Sequence, residues 1–147
     1  MNTTELLKIL NVRCKGILLG IFARDRLPAK LPPRRPLLIV CNTDPHDKPG
    51  EHWIVMYIGS NGVGEYFDSY GLYPQKVFEN YILRNCSTLL WNKKALQSVI
   101  SRFCGHYCVF FSLFKVLEYE MKDIVDCFSE DTALNDVIVH KFVCDNL

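Results

Sequence analysis

Cys104-Gly105-His106-Tyr107-Cys108-Val109-Phe110-Phe111-Ser112-Leu113-Phe114 sets a thiol and a glycine at the head of an almost unbroken apolar run. From Gly105 to about Tyr119 the pattern is helical, and a helix this apolar belongs in the interior. A cysteine where a helix begins faces the positive end of the helix dipole, which favours the thiolate. A cysteine nucleophile also needs a base, and His52-Trp53, half a chain upstream, offers a histidine for that role.

Working outward, Leu37 to Cys41 is a short continuous apolar run and reads as a buried strand. His52 to Ile58 is dense in β-formers, Asn61-Gly62 is a hairpin signal, and Glu65 to Asp68 follows as the partner strand. Antiparallel pairing brings the start of one strand to the end of the next, so His52 and Asp68 are expected to meet. Thr3 or Thr4 can cap a first helix over Glu5 to Leu10, with Leu6, Leu7, Ile9 and Leu10 as its apolar face. Pro74 suits the first turn of a helix to about Arg84, with Val77, Phe78, Tyr81 and Ile82 on one face. Residues 87–91 and 94–100 read as strands. Asp131 to Val143 reads as an amphipathic helix with Leu134, Val137, Ile138 and Phe142 inward. The expected class is α+β: a mostly antiparallel sheet, flanking helices, and a central helix carrying Cys104 at its N-terminus.

The 147 residues, 49% hydrophobic, suit one domain spanning residues 1–147. A net charge of +1, from 17 basic and 16 acidic residues, gives no overall electrostatic basis for a nucleic-acid or membrane partner. Arg24, Arg26, Lys30, Arg34 and Arg35 fall in a stretch, residues 23 to 36, that carries four prolines and reads as a solvated loop. Ile17 to Phe22 is too short to span a bilayer. A soluble, intracellular protein is expected.

Seven cysteines are an odd number for a disulfide framework, so a reducing compartment fits better. Cys104, His106 and Cys108 raise the question of zinc, with Cys86, Cys127, His140 and Cys144 as completions. Cys-x-His-x-Cys on a helix splays its side chains around the axis, and no second pair with metal spacing follows, so no metal is expected.

Glu51-His52-Trp53, then Tyr66-Phe67-Asp68-Ser69-Tyr70-Gly71, then Gln97, then Cys104-Gly105-His106-Tyr107-Cys108 together resemble the adenovirus-type cysteine endopeptidases, the adenain family. The order His, Asp or Glu, Gln, Cys also marks the wider clan that includes proteases of ubiquitin-like proteins. Upstream, Leu19 to Pro28 and Val40 to Thr43 extend the resemblance, which covers roughly residues 4 to 117. It implies an origin in a virus or virus-like mobile element. It also implies His52 as base, Asp68 as the carboxylate that orients it and Cys104 as nucleophile. Gln97 would donate to the oxyanion together with a backbone amide at the nucleophile, and Gly105 would give a substrate clearance and form part of the oxyanion site. Trp53 would wall the cleft and favour glycine near the cleaved bond. Cys86 matches in spacing a cysteine that bonds an activating peptide in the adenovirus enzymes, while on its own it reads as a structural strand cysteine. An activating peptide or DNA as cofactor is implied by the resemblance alone.

Each residue has a plainer reading: a strand-end histidine, an aspartate in an Asp-Ser-x-Gly turn, a buried core thiol, an uninformative glutamine. Together and in order they imply a thiol protease that hydrolyses peptide bonds of viral structural precursors during virion maturation, acting in the virion and the host nucleus or cytoplasm. Two other readings stand beside it: an isopeptidase of ubiquitin-like proteins (a deubiquitinase), and a catalytically idle binding module.

Overall fold

The computed structural model describes residues 1–147. In chain order the elements are α1 (Thr3–Arg13), β1 (Leu18–Phe22), a 3-10 turn (Arg24–Arg26), β2 (Leu37–Asn42), β3 (Trp53–Ile58) and β4 (Val63–Phe67). They continue with α2 (Lys76–Asn85), β5 (Thr88–Trp91), α3 (Cys104–Val116), α4 (Met121–Asp126) and α5 (Thr132–Asp145). The five strands lie side by side in sequence order. β2, β3 and β4 are antiparallel, while the edge strands β1 and β5 run parallel to β2 and β4. The β4–β5 pairing is parallel because α2 carries the chain back between them, as a parallel connection requires.

β2 is apolar from Leu37 to Cys41 because both faces of the sheet are covered. Leu38 and Val40, with Val55 and Phe67, face a core shared with α1, α3, α4 and α5. Leu37, Ile39 and Cys41, with Ile54, Met56, Ile58 and Tyr66, face a second core closed by Phe78, Tyr81 and Ile82 of α2. Strand alternation thus sorts neighbouring residues into two cores. α3 is buried nearly all round, as its composition predicts, and its Phe111 stacks on Phe67 at 4.4 Å between ring centroids. The α+β class expected from sequence is the class observed.

Several expectations need correction. α1 is capped by Asn2, not by Thr3 or Thr4: Asn2 Oδ1 accepts from Glu5 N–H at 3.0 Å, and Glu5 Oε2 accepts from Asn2 N–H at 2.8 Å. Val77 is 40% exposed and does not share the buried face of Phe78, Tyr81 and Ile82. Residues 94–100 form no strand; the Leu96 and Gln97 amides donate to Ser69 O at 2.8 and 3.0 Å instead of to a ladder. α5 is turned about its axis relative to expectation: Leu134, Val137 and Ile138 are 48, 64 and 43% exposed, while Asn135, Asp136, Val139 and Val143 face inward. β1 and α4 were not anticipated. No helix is long and apolar enough to cross a membrane.

Candidate active site

His52 immediately precedes β3 and Asp68 immediately follows β4, so the antiparallel register that pairs Val55 with Phe67 brings the two side chains together. His52 Nε2 and Asp68 Oδ1 are 2.7 Å apart, with both residues buried. Asp68 Oδ1 also accepts from Tyr70 N–H at 2.8 Å, and the Tyr70 ring stacks on the imidazole at 4.7 Å and 25°. Asn92 grips the Asp68 backbone from both sides: its Oδ1 accepts from Asp68 N–H at 2.9 Å and its Nδ2 donates to Asp68 O at 2.5 Å. Gly71, at φ +70°, carries the chain out of this turn against Lys94, where any Cβ would lie 2.7 Å from the Lys94 carbonyl.

Cys104 opens α3 behind Phe103, a residue whose side chain cannot cap, so the first amides of the helix stay free for other acceptors. With Nε2 held by Asp68, Nδ1 is the ring nitrogen of His52 left for the thiol, which lines the same cleft. Burial pushes the Cys104 thiol up. The His52 hydrogen bond, the Trp53 amide, the imidazolium charge and the Gly105 amide outweigh it and bring the thiol below the ordinary 9.0. Burial would pull His52 down, but hydrogen bonds to Asp68 and Cys104, and their charges, raise it from 6.5 to about 9. Both shifts favour a thiolate–imidazolium pair. The buried thiols away from His52 shift the other way: burial pushes Cys14 and Cys41 up to about 12, and raises Cys86 and Cys108 as well.

His52, Cys104, Gln97, Trp53, Tyr70, Asn42, Ser101 and Arg102 line a common cleft of about 400 Å³. Gln97 is 1% exposed. Its Nε2 donates to Ser101 O at 3.2 Å and meets Ser101 Oγ at 3.0 Å, while its Oε1 accepts from Ser69 Oγ at 2.6 Å. The Ser101 carbonyl can only accept, which fixes the amide orientation. Trp53 lines the cleft with its indole N–H donated to Met1 O at 3.0 Å. Gly105 is buried, and the space beside its Cα holds Met1, whose Cβ would lie 2.7 Å from an added Cβ. The clearance at Gly105 therefore accommodates Met1.

Cys86 is not part of the cleft. It caps the end of α2 beside Gly64, half-buried. His106 packs between Phe103 and His140, and Cys108, one turn beyond Cys104, is in the core. The sequence reading missed Tyr70, Asn92, Ser69 and Ser101. The Asp-Ser-Tyr-Gly turn held two of them in plain view, whereas Asn92 and Ser101 acquire their roles only through contacts made on folding.

No family model matches the chain, and no curated protein is similar to it in sequence. Several solved structures are similar in fold. One is the crystal structure of the ASFV pS273R protease, with a TM-score of 0.57 and 20% identity over 74% of this chain and 44% of that one. The chain thus spans under half the length of that protease. Another is the central domain of the Legionella pneumophila protein Lpg1148, with a TM-score of 0.51 and 13% identity over 99% of this chain and 94% of that one.

Proposed function

We propose that this protein is a cysteine endopeptidase of the adenain type. The observation that carries the reading is the convergence, in one cleft, of the His52–Asp68 pair and Cys104, a thiol held below its ordinary pKa. The likeness in fold to the ASFV pS273R protease supports it. The Cys104 sulfur attacks the scissile carbonyl carbon, and the imidazolium of His52 passes its proton to the departing amine, leaving a thioester. Water, deprotonated by His52, then attacks the thioester and releases the acid. Asp68 holds the imidazole in orientation throughout. Gln97 keeps one amide proton on the Ser101 carbonyl and turns the other to the oxyanion, beside an amide at the start of α3. Substrates are polypeptides cut near glycine, in a viral setting the structural precursors of the particle. A cleft walled by Trp53 supports that choice.

The test is turnover of fluorogenic peptides containing glycine around the cleaved bond, compared for wild type, Cys104→Ala and His52→Ala. Loss of all turnover in both variants is expected. Undiminished cleavage in either one overturns the reading. Cleavage of a ubiquitin-like protein ending in Gly-Gly, with none of internal peptide bonds, would replace it with the isopeptidase.

A further inference from the structure

The first half of α5 is built with its polarity inverted. Leu134, Val137 and Ile138 face solvent, while Asn135 is 0% and Asp136 6% exposed. Burying an amide and a carboxylate is costly unless they make hydrogen bonds, so their partners indicate what the helix does. Those partners flank Gln97. Asn135 Nδ2 donates to Leu96 O at 3.1 Å and to Ser129 O at 2.8 Å. Asp136 Oδ1 accepts from Ser98 N–H at 3.4 Å and from the Tyr107 hydroxyl at 2.8 Å. That phenol, one turn along α3 from Cys104, is also 3.2 Å from Leu96 O. The peptide units on both sides of Gln97 are therefore held by side chains of α3 and α5. Beyond them Val99 and Ile100, 85 and 91% exposed, form a tip closed by the Ser101 amide on Ser98 O at 3.1 Å.

We infer that Tyr107, Asn135 and Asp136 are positioning residues that hold the Gln97 amide at the distance from Cys104 that an oxyanion requires. The inference rests on the protease reading above. Gln97 sits on a segment without regular secondary structure, so no ladder sets its position. A displacement of about 1 Å at such a donor costs roughly 10²-fold in turnover.

Alkylation of Cys104 by iodoacetamide forms no oxyanion, whereas peptide hydrolysis does, and this separates positioning from general support of the fold. Tyr107→Phe keeps the ring packed against Phe128 and removes only the hydroxyl. Asp136→Asn keeps the shape and weakens the acceptor. Each is expected to lower kcat for a glycine-containing peptide by about 10- to 100-fold with KM nearly constant, and to alkylate Cys104 within about twofold of wild type. Tyr107→Phe combined with Gln97→Ala is expected to be no slower than Gln97→Ala alone. Wild-type kcat in both variants, alkylation falling in step with hydrolysis, or full additivity with Gln97→Ala overturns the inference and leaves the protease reading standing. Failure of wild type to hydrolyse any peptide overturns the protease reading, and the inference falls with it.

Discussion

Asp68→Asn tests the electrostatics of the site directly. The His52 imidazole is raised from 6.5 to about 9 although burial alone would lower it, and the leading contribution is the hydrogen bond to Asp68. Such a rise corresponds to about 3 kcal/mol of preference for the charged ring at this buried site. Asparagine keeps the shape and removes the charge, so the imidazole returns most of the way toward 6.5 and Cys104 loses part of its counter-charge. Two measurements follow. The pH profile of Cys104 alkylation, read by mass spectrometry against the exposed Cys127 and Cys144, is expected to lose in the variant the reactivity that wild type shows below the ordinary thiol range. Peptide turnover is expected to fall by about 10²- to 10³-fold. The sign for stability follows from linkage: a group raised in the folded state contributes fully below its unfolded value and loses that contribution as pH rises through its folded one. The difference in unfolding free energy between wild type and Asp68→Asn should therefore be largest below pH 6.5 and shrink through about pH 9. Superimposable alkylation profiles, together with a stability difference that does not vary with pH, would refute the reasoning.

Three further perturbations have defined outcomes. Lys115→Met strips the partner from Glu65, with which Lys115 makes a buried ion pair at 2.8 Å over the Tyr57 ring, and should cost about 3–5 kcal/mol in urea unfolding. Adding Glu65→Met should recover much of that loss, and a double variant as unstable as the single one would contradict this account. Gly105→Ala drives a Cβ against Met1 and should lower stability by about 1–3 kcal/mol while changing Trp53 fluorescence through the lost Met1 carbonyl; unchanged melting and emission would count against it. Asn92→Ala leaves the Asp68 amide and carbonyl without their buried partner and should cost about 2 kcal/mol or more together with turnover, checked by urea unfolding and peptide kinetics.

Elements whose signal is local were legible. The unbroken apolar run of β2, the Asn61-Gly62 turn and the apolar character of α3 each follow from a few adjacent residues, and pairing β3 with β4 was enough to bring His52 to Asp68. What failed was set by long-range partners. Residues 94–100 have the composition of a strand, but the sheet ends at β5, and their backbone groups are taken by Ser69, Asn135 and Tyr107. The face of α5 was misjudged because periodicity counts Asn135 and Asp136 as solvent-facing, and only their contacts with Leu96 and Ser98 turn that face inward. β1 was overlooked because Gly20 and the charged loop after it weaken a strand signal that pairing with β2 supplies.

The four residues assigned to the proposed reaction are held by different parts of the fold, with unequal security. His52 and Asp68 sit at the ends of ladder-bonded strands, and Asn92 doubles the hold on Asp68. Cys104 belongs to the most buried helix. Gln97 alone lies on irregular backbone, between pinned peptide units and an exposed Val99-Ile100 tip. Segments rich in exposed backbone and poor in buried contacts open first. Local opening at residues 98–101 would release Ser101 from the Gln97 amide and remove the oxyanion donor, while the His52–Cys104 pair stayed intact. Thiol reactivity and peptide turnover should then diverge as mild denaturant is added, with turnover lost first and alkylation of Cys104 retained until α3 itself unfolds.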